Sequence, residues 1–442
     1  MTRKCSLTLS LLLVVAVPFL LLSTGSGRAD DRHDRDKGAN QGAVRLLKTV
    51  PIPGTLANTT NGKLYSFDIS FVDQSTQTYY LADRSNAVVD VVDAKTGTFV
   101  KQIAGGFKGV AVVGGVVQGG QSGPNGVVAA FPWLFVTDAP SRVVSIDLRT
   151  DTVVSSVSTG GADNFRADEL AYDPKDGLLL VINANDTPPF GTLITVNKAN
   201  GHLTVGTRIT FDAAHGVDAA NGAEQPVWNP HTGKFYLSIP QIGPTVSHGG
   251  VLRISTTGTV EAIYPVGFCG PAGLTLGPRH DLLVGCNTVF DTAGNVWNPA
   301  GVVTAAPKDV ILNVKTGSTT DVRGVGAGDE VWFNAGDGNY YATGSGSPLR
   351  PTSPAPLTAQ GASVLGVIDA EDGNLIQLVP TFNVPAVGTG NSSTQHPAGT
   401  AHSVAADATN NHVFVPLAAN NAFPDCLTGC IAVFGRPSGD DD

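Results

Sequence analysis

Short apolar runs, separated by turns rich in Gly, Asp and Asn, recur along most of the chain with a repeat of roughly 50 residues. Each repeat opens with a polar or small residue and a short apolar strand that ends at Asp, Asn or an equivalent residue. A strong strand of Tyr, Phe, Val and Leu follows, then a third strand, and a weaker fourth strand closes the unit. The copy that begins at Asp168 is typical, because it continues through 170–173 and 178–182 to 193–197. Such runs between turns predict β-strands.

Seven such units follow one another, and each opens at the same position of the repeat. In chain order these opening residues, here called the ring positions, are Asp68, Asn125, Asp168, Glu224, Ala272, Asp329 and His402. Seven four-stranded units predict an all-β fold, a seven-bladed β-propeller, whose first strands surround a central channel. The ring positions are expected to face that channel at one end. Two separate all-β domains are the alternative, although no linker-like change in composition divides the units.

The two ends of the repeat region predict how the propeller closes. The seventh unit has only three strands, because an acidic tail follows soon after the last one at 431–434. The segment 44–53, which precedes the first unit, has the apolar pattern of the missing strand. We therefore predict that an N-terminal strand closes the last blade, so that no sheet edge stays open.

The first residues have the pattern of a targeting segment. Arg3 and Lys4 precede an apolar run at 7–22, and small residues follow it, so residues 1–29 are interpreted as a secretory signal peptide. A retained membrane anchor is the alternative, although the run is short for a bilayer span. Residues 30–42 are expected to form a disordered charged leader, residues 43–436 the propeller and residues 437–442 an acidic tail. The predicted location is secreted or periplasmic, with no membrane span after signal removal.

Charge limits the class of partner. The chain has 27 Lys and Arg residues against 37 Asp and Glu residues, a formal net charge of −10. A nucleic-acid-binding surface needs basic stripes that neutralise phosphates, so this class is excluded. The expected partner is a small-molecule ligand or substrate at the mouth of the channel, and the protein is expected to be a monomer.

Four cysteines remain after the predicted signal: Cys269, Cys286, Cys426 and Cys430. An even number in an exported chain favours disulfides, and four cysteines allow three connectivities. The simplest connectivity pairs the two neighbours in sequence, Cys269 with Cys286 and Cys426 with Cys430. A four-cysteine zinc site is the alternative, although the chain lacks the Cys-x-x-Cys spacing typical of such sites.

Two motifs carry a family resemblance. The stretch Pro124-Asn125-Gly126-Val127, with an apolar strand at 134–138 behind it, resembles the strand signature of the YVTN and NHL repeat propellers. The stretch Glu224-Gln225-Pro226-Val227-Trp228 resembles the opening strand of the gluconolactonase/regucalcin (senescence-marker) family. In that family such a glutamate binds a divalent metal, and Asn and Asp residues at matching strand starts complete the site.

This resemblance implies a metal site and an activity. Glu224 and Asn125 match the ligand pattern by motif, whereas the remaining implied ligands, which match by position only, are Asp68, Asp168 and Asp329. The sequence also departs from the family, because the known lactonases are mostly six-bladed and Ala272 leaves one ring position without a ligand. The implied function is a divalent-metal-dependent hydrolase of lactones or esters.

The chemistry of the ring positions agrees with a cation. Four carboxylates that converge at one end of a channel repel one another unless a cation or protons intervene. Oxygen ligands suit hard cations, of which calcium is the expected one. A bound divalent ion polarises a carbonyl or activates a water. His402 is the expected general base, because its unperturbed pKa lies near neutrality. His396 lies in the same segment and is a candidate ligand-binding residue.

A non-catalytic function is the main alternative. Polar residues at strand starts also hydrogen-bond exposed backbone groups and water in a wet channel. The protein would then be an extracytoplasmic binding or interaction propeller. A redox enzyme with a quinone-type cofactor is a third possibility. The strand residues Trp133, Trp228 and Trp332 are expected in the core.

Overall fold

The structure is a computed structural model that describes residues 42–161, 165–296, 307–326, 328–344, 364–381, 402–419 and 426–437. The predicted signal peptide, nearly all of the leader, the acidic tail beyond residue 437 and His396 lie outside the described residues. The chain divides into Met1–Gly42 and Ala43–Asp442, and the second unit contains every strand described below. In the described part of the chain, no helix is long and apolar enough to cross a bilayer.

The strands form seven four-stranded antiparallel sheets. An N-terminal strand and the first two blades comprise β1 (Arg45–Pro51); β2 (Ser70–Asp73), β3 (Thr78–Asp83), β4 (Val88–Asp93), β5 (Thr98–Ala104); a connecting hairpin β6 (Val112–Val113), β7 (Val116–Val117); and β8 (Val127–Ala130), β9 (Trp133–Asp138), β10 (Arg142–Asp147), β11 (Thr152–Ser158). Blades three and four comprise β12 (Leu170–Asp173), β13 (Leu178–Asn183), β14 (Phe190–Val196), β15 (Leu203–Thr210); and β16 (Pro226–Asn229), β17 (Lys234–Ile239), β18 (His248–Ile254), β19 (Val260–Gly267).

The last three blades comprise β20 (Cys269–Leu276), β21 (Asp281–Val289), β22 (Lys308–Asn313), β23 (Thr319–Arg323); β24 (Val331–Asn334), β25 (Asn339–Gly344), β26 (Val364–Asp369), β27 (Leu375–Pro380); and β28 (Ala405–Asp407), β29 (His412–Leu417), β30 (Cys430–Gly435). Two short 3-10 helices lie in connections, at Gly119–Gln121 and Ala213–His215. The first strands of the seven blades contact one another in ring order, from β2 through β28 and back to β2. The predicted seven-bladed β-propeller is therefore confirmed.

The N-terminal strand closes the last blade as predicted. β1 pairs antiparallel with β30, from Arg45 opposite Gly435 to Pro51 opposite Cys430. It stands as the fourth strand of the sheet β1-β30-β29-β28. Three apolar side chains anchor the segment, since Val44, Val50 and Ile52 are buried.

The Asp or Asn that ends the first strand in five blades shapes the following turn. In each case its Oδ1 accepts a hydrogen bond from the backbone N–H two residues later, as Asp173 does from Lys175 at 2.9 Å. Side chains of this kind mimic a backbone turn. The turn then needs a residue in the left-handed backbone conformation. This residue is Gly177 (φ 68°) in blade three and Asn411 (φ 61°) in blade seven. The repeated markers are therefore turn-forming residues.

Apolar side chains fill the space between neighbouring blades. Between the last and first blades, Val72 and Leu81 join Phe414 and Val433 in one buried cluster. Tyr79 stacks on Phe414 with ring centroids 4.9 Å apart. Because this packing links blades that are distant in sequence, the ring stabilises itself only when closed.

Both predicted disulfides are present. Cys269 bonds to Cys286, which ties the first two strands of blade five together, and Cys426 bonds to Cys430. All four side chains are buried.

Candidate functional site

Backbone hydrogen bonds bring the ring positions to the start of the inner strands. The N–H groups of Asp68, Asp168 and Glu224 donate to carbonyls of the second strands, at Ala82, Ile182 and Ser238. These bonds extend each sheet towards one end of the channel. The side chains of Asp68, Asn125, Asp168, Asp329 and His402 then meet in one hydrogen-bonded network, which two arginines complete.

Asp68 is the centre of this network. Its Oδ2 accepts from the Arg84 guanidinium and from Arg166 Nη1 at 3.0 Å, and its Oδ1 lies 3.0 Å from His402 Nε2. Burial by itself would raise the pKa of Asp68, but Arg84, Arg166 and His402 outweigh it and hold that pKa well below its usual range. Asp68 is therefore a buried carboxylate anion whose oxygens are already occupied.

Arg166 joins Asp68 to a second ring position. Its Nη2 donates to Asp168 Oδ2 at 2.6 Å. Burial raises the pKa of Asp168 to about 6, since the attraction of Arg166 is offset by the nearby Asp68. Oδ1 of Asp168 accepts no hydrogen bond from any residue that the structure describes, so it is available to a ligand.

His402 lies between two carboxylates. The same Nε2 that faces Asp68 is 3.2 Å from Asp329 Oδ2. Burial lowers the pKa of His402, but Asp329 and Asp68 raise it by more, so the net shift is upward. Both carboxylates face the same ring nitrogen, and their negative charge stabilises the protonated ring. This arrangement favours a proton donor at His402, whereas the general base predicted from the sequence requires a neutral ring and stays a prediction.

Asn125 positions an arginine. Its side chain is fully buried, its Oδ1 accepts from Arg84 Nε at 2.9 Å, and its Nδ2 donates to the carbonyl of Ala167 at 2.9 Å. The amide oxygen that would ligate a metal is thus engaged with the guanidinium. Asn125 holds Arg84 in the orientation that reaches Asp68.

Glu224 differs from the other ring carboxylates. Its side chain is half-buried and, among the described residues, forms neither a hydrogen bond nor an ion pair. Burial raises the pKa of Glu224 well above its usual range, and Asp329 and Asp168 add to this, while Arg166 opposes it. Glu224 is therefore the ring carboxylate most open to a ligand.

A polar cleft of about 550 Å³ lies beside this network, and we call it the central cleft. Arg166, Asp168 and Glu224 line it, together with loop residues at 184–189, 211–212, 218–222 and 287–288. Ala272 also lines the central cleft, so the ring position without a ligand side chain leaves space. Asn287 connects the wall to the network, because its Nδ2 lies 3.3 Å from Asp329 Oδ1.

A second polar layer follows one residue further along the inner strands. Gln225 Nε2 donates to Glu330 Oε1 at 2.8 Å, and Gln225 Oε1 accepts from the N–H of Leu274. Ser403 contacts Glu330 Oε2 at 3.4 Å, and Glu169 is the matching residue of blade three, one position after Asp168. We call Gln225, Glu330, Ser403 and Glu169 the acidic layer.

Arg84 and Arg166 were missed at the sequence level, since neither occupies a ring position. Arg84 follows β3 in a turn, and Arg166 precedes Asp168 by two residues. The signal that could have found them is charge. Four carboxylates predicted at one end of a channel require compensating cations or protons, and Arg166 lies two residues before one of these carboxylates in the sequence.

The metal site implied by the resemblance requires several free oxygen ligands. In the described ranges, no three Asp, Glu, His or Cys side chains stand together in a way that could hold a metal ion. The arginines take up much of the negative charge of Asp68 and Asp168. The calcium and the predicted ligand set, including Asn125 and Asp329, stay predictions.

Comparison with known proteins supports the fold. No protein-family model matches the chain, and no curated protein matches it. Among solved structures, Kuenenia stuttgartiensis hydrazine synthase is similar, with a TM-score of 0.59 and 13% sequence identity over 88% of this chain and 99% of that chain. At this identity the likeness carries the fold alone. Membership of the YVTN, NHL or regucalcin families stays a prediction.

Proposed function

We propose that this propeller binds a small positively charged ligand in the central cleft and that Glu224 anchors it. The observation that carries the proposal is the Glu224 carboxylate, which faces the central cleft without a hydrogen-bond partner in the part of the chain that the structure describes. A ligand that carries positive charge and donates to this half-buried carboxyl group is stabilised by a charge-assisted hydrogen bond.

The negative charge of the wall of the central cleft favours a cationic ligand. One basic side chain, Arg166, lines the central cleft among the described residues, whereas the carboxylates that line it are Asp168, Asp186, Asp212, Asp218 and Glu224. Walls of one sign focus the field and concentrate ligands of the opposite sign. A divalent metal ion such as calcium and an organic ammonium group share the required charge.

Calorimetric titration distinguishes the two kinds of cation. Calcium chloride and 1,4-diaminobutane are titrated separately into the protein and into Glu224→Gln, which keeps the shape of the side chain and cannot ionise. Because the pKa of Glu224 is raised, a bound cation displaces its proton and meets a carboxylate. Gln cannot make this charge-assisted contact, so we expect one of the two cations to bind and the substitution to weaken its binding about tenfold or more. Glu371→Gln, the same change at an exposed site, is the matched control. Equal affinity in Glu224→Gln, or binding of neither cation, contradicts the proposal.

Hydrolysis of a lactone or ester is the second candidate function. Glu224 and the open Oδ1 of Asp168 would hold a divalent ion, which on binding supplies Lewis acidity towards a carbonyl. The observation that favours catalysis is the position of His402, whose Nε2 contacts Asp68, which in turn pairs with Arg166 in the wall of the central cleft. Asp329 and Asp68 raise the pKa of His402, so in this scheme we assign it as the proton donor.

A hydrolysis assay tests the second candidate. δ-Valerolactone and 4-nitrophenyl acetate are incubated with the protein, with added calcium and with chelator. We expect calcium-dependent turnover that His402→Gln reduces by about a hundredfold, the range typical of a lost proton donor. Rates that are equal for His402→Gln and the unsubstituted protein remove His402 from the mechanism.

Export of the protein is also part of the proposal. Disulfides persist mainly in oxidising compartments, and two buried disulfides are present. Cell fractionation with antibody detection tests this. A protein found in the cytoplasm with reduced thiols contradicts it.

A further inference from the structure

A second cavity lies further along the inner strands, beyond the acidic layer. Its volume is about 470 Å³, and we call it the channel cavity. The first strands of blades one to six form its wall, which is mainly apolar. It shares no lining residue with the central cleft, so it is a separate space.

Aromatic side chains dominate the wall of the channel cavity. The five that line it are Phe71, Tyr172, Trp228, Trp332 and Phe333. Each is half-buried, because one side packs on the clusters between blades and the other faces the channel. The expectation that Trp228 and Trp332 lie in the core therefore holds for one side of each ring only. Aromatic surface left open inside a concave wall is a feature of ligand sites.

Glu169 supplies a polar group at the inner end of this cavity. It lines the channel cavity, its residue is 6% exposed, and it accepts or donates no side-chain hydrogen bond among the described residues. The neighbouring Gln225 cannot serve it, since its amide is committed to Glu330 and to the Leu274 N–H. An unpartnered carboxyl group in an apolar wall is costly unless a ligand meets it.

The ionisation of Glu169 sets the chemistry of the group it would meet. Burial raises the pKa of Glu169 well above its usual range, and Glu330 and Asp168 raise it further. The upward shift favours the uncharged carboxylic acid, which both donates and accepts hydrogen bonds. Such a group pairs with a neutral hydroxyl, amine N–H or amide.

We propose that the channel cavity is a second binding site, which takes a small uncharged aromatic molecule with one hydrogen-bonding group, and that Glu169 binds that group. The aromatic wall packs on the body of the ligand. A volume of about 470 Å³ falls within the range of about 300–1,000 Å³ that is typical of small-molecule sites. This site does not depend on the function proposed for the central cleft.

Fluorescence titration with N-phenyl-1-naphthylamine tests the proposal, because this uncharged probe has one N–H group and emits strongly in apolar surroundings. We expect saturable binding to the full chain. Glu169→Leu should weaken it about fivefold or more, while Glu169→Gln, which still donates and accepts, should stay within about twofold. Ala130→Trp, at a small half-buried residue of the wall, should fill part of the cavity and also weaken binding about fivefold or more.

A surface control separates the channel cavity from other apolar sites. The β6–β7 hairpin exposes Val113 and Val116, which could attract an apolar probe. Val113→Ser with Val116→Ser should leave the titration unchanged. The proposal is overturned if the probe does not bind, if the hairpin substitutions abolish binding, or if Glu169→Leu and Ala130→Trp bind as the unsubstituted protein does. Thermal melts show whether each variant is folded. If Ala130→Trp does not fold, the result for Glu169→Leu alone decides the proposal.

Discussion

The Nε2 atom of His402 lies 3.0 Å from Oδ1 of Asp68, and this contact joins the inner ends of the last and first blades. The pairing of β1 with β30 completes the last blade itself, and the chain then runs from β1 into the first blade. The ring is therefore closed twice, by a β-ladder outside and by charged side chains inside. Arg166 carries the inner network on to blade three, and Asp329 carries it to blade six.

Replacement of Arg84 by Met should destabilise the protein strongly. Arg84 is 7% exposed and pairs with the buried Asp68. Without Arg84, the buried Asp68 keeps Arg166 and His402 as partners, so the cost should reach at most the value of about 3–5 kcal/mol that is typical of a broken buried ion pair. The measurement is the free energy of unfolding from urea denaturation.

A matched control and a rescue test that reasoning. Lys101→Met removes an exposed pair with Asp151 at 2.7 Å and should cost about 1 kcal/mol or less. Asp68→Asn, added to Arg84→Met, should recover part of the loss because it removes the buried charge that Arg84 no longer compensates. Equal costs for the two single substitutions would show that burial of the pair is energetically unimportant.

The protonation of His402 should contribute stability that depends on pH. Its pKa is raised in the folded protein, so this contribution is fully present below about 6.5, the unfolded value, and is lost as pH rises through the folded pKa. His402→Gln should therefore cost more stability near pH 6 than near pH 9. Histidine NMR titration measures the pKa directly, and Asp329→Asn should lower it. A His402 pKa below the ordinary value would refute the imidazolium.

The sequence predicts the fold well because each repeat contains both the apolar pattern of its strands and the residues that form its turns. Turn-forming residues such as Asp173 and Asn229, followed by Gly177 and Gly233, end the first strand and shape the next turn. Their recurrence is visible in one sequence without an alignment. The N-terminal strand was predictable because seven units with one strand missing leave one vacancy.

The site was only partly predictable, because its chemistry depends on contacts between distant residues. Repeat position brings Asp68 and His402 to the same ring. It does not reveal that Arg84 and Arg166 neutralise the carboxylates, since neither arginine occupies a ring position. The pKa of His402 depends on Asp68 and Asp329, which lie far away in sequence.

Removal of the N-terminal strand should open the ring. Truncation of residues 1–53 removes β1 and the buried side chains of Val44, Val50 and Ile52, each worth about 1.5–3 kcal/mol. It also exposes the backbone of β30 as an unpaired edge, which promotes association between chains. Light scattering and thermal denaturation should show aggregation and a lower Tm. Truncation of residues 1–41 is the control and should change neither; a 1–53 truncation that melts as the control does contradicts the closure.

Asp309 is a buried carboxyl group without a basic partner in the described part of the chain. It is 1% exposed on β22, and its Oδ1 accepts from the N–H of Cys286 at 3.0 Å, while its Oδ2 has no partner. Burial raises the pKa of Asp309 to about 7, and the Cys286 N–H offsets only part of this. The folded protein therefore binds a proton that the unfolded chain releases at lower pH.

Asp309→Asn should stabilise the protein above neutral pH and have little effect in acid. The contribution of a raised carboxyl pKa is fully present below about 3.8 and is lost as pH rises through about 7. Asn stays neutral at every pH and keeps the acceptor for Cys286, so near pH 8 the variant should be more stable by about 2–4 kcal/mol. Near pH 5 the difference should be smaller by about half or more. Urea denaturation at both pH values measures this, with the exposed Asp372→Asn as control. A gain that does not grow with pH would mean that Asp309 is ionised in the folded protein without cost.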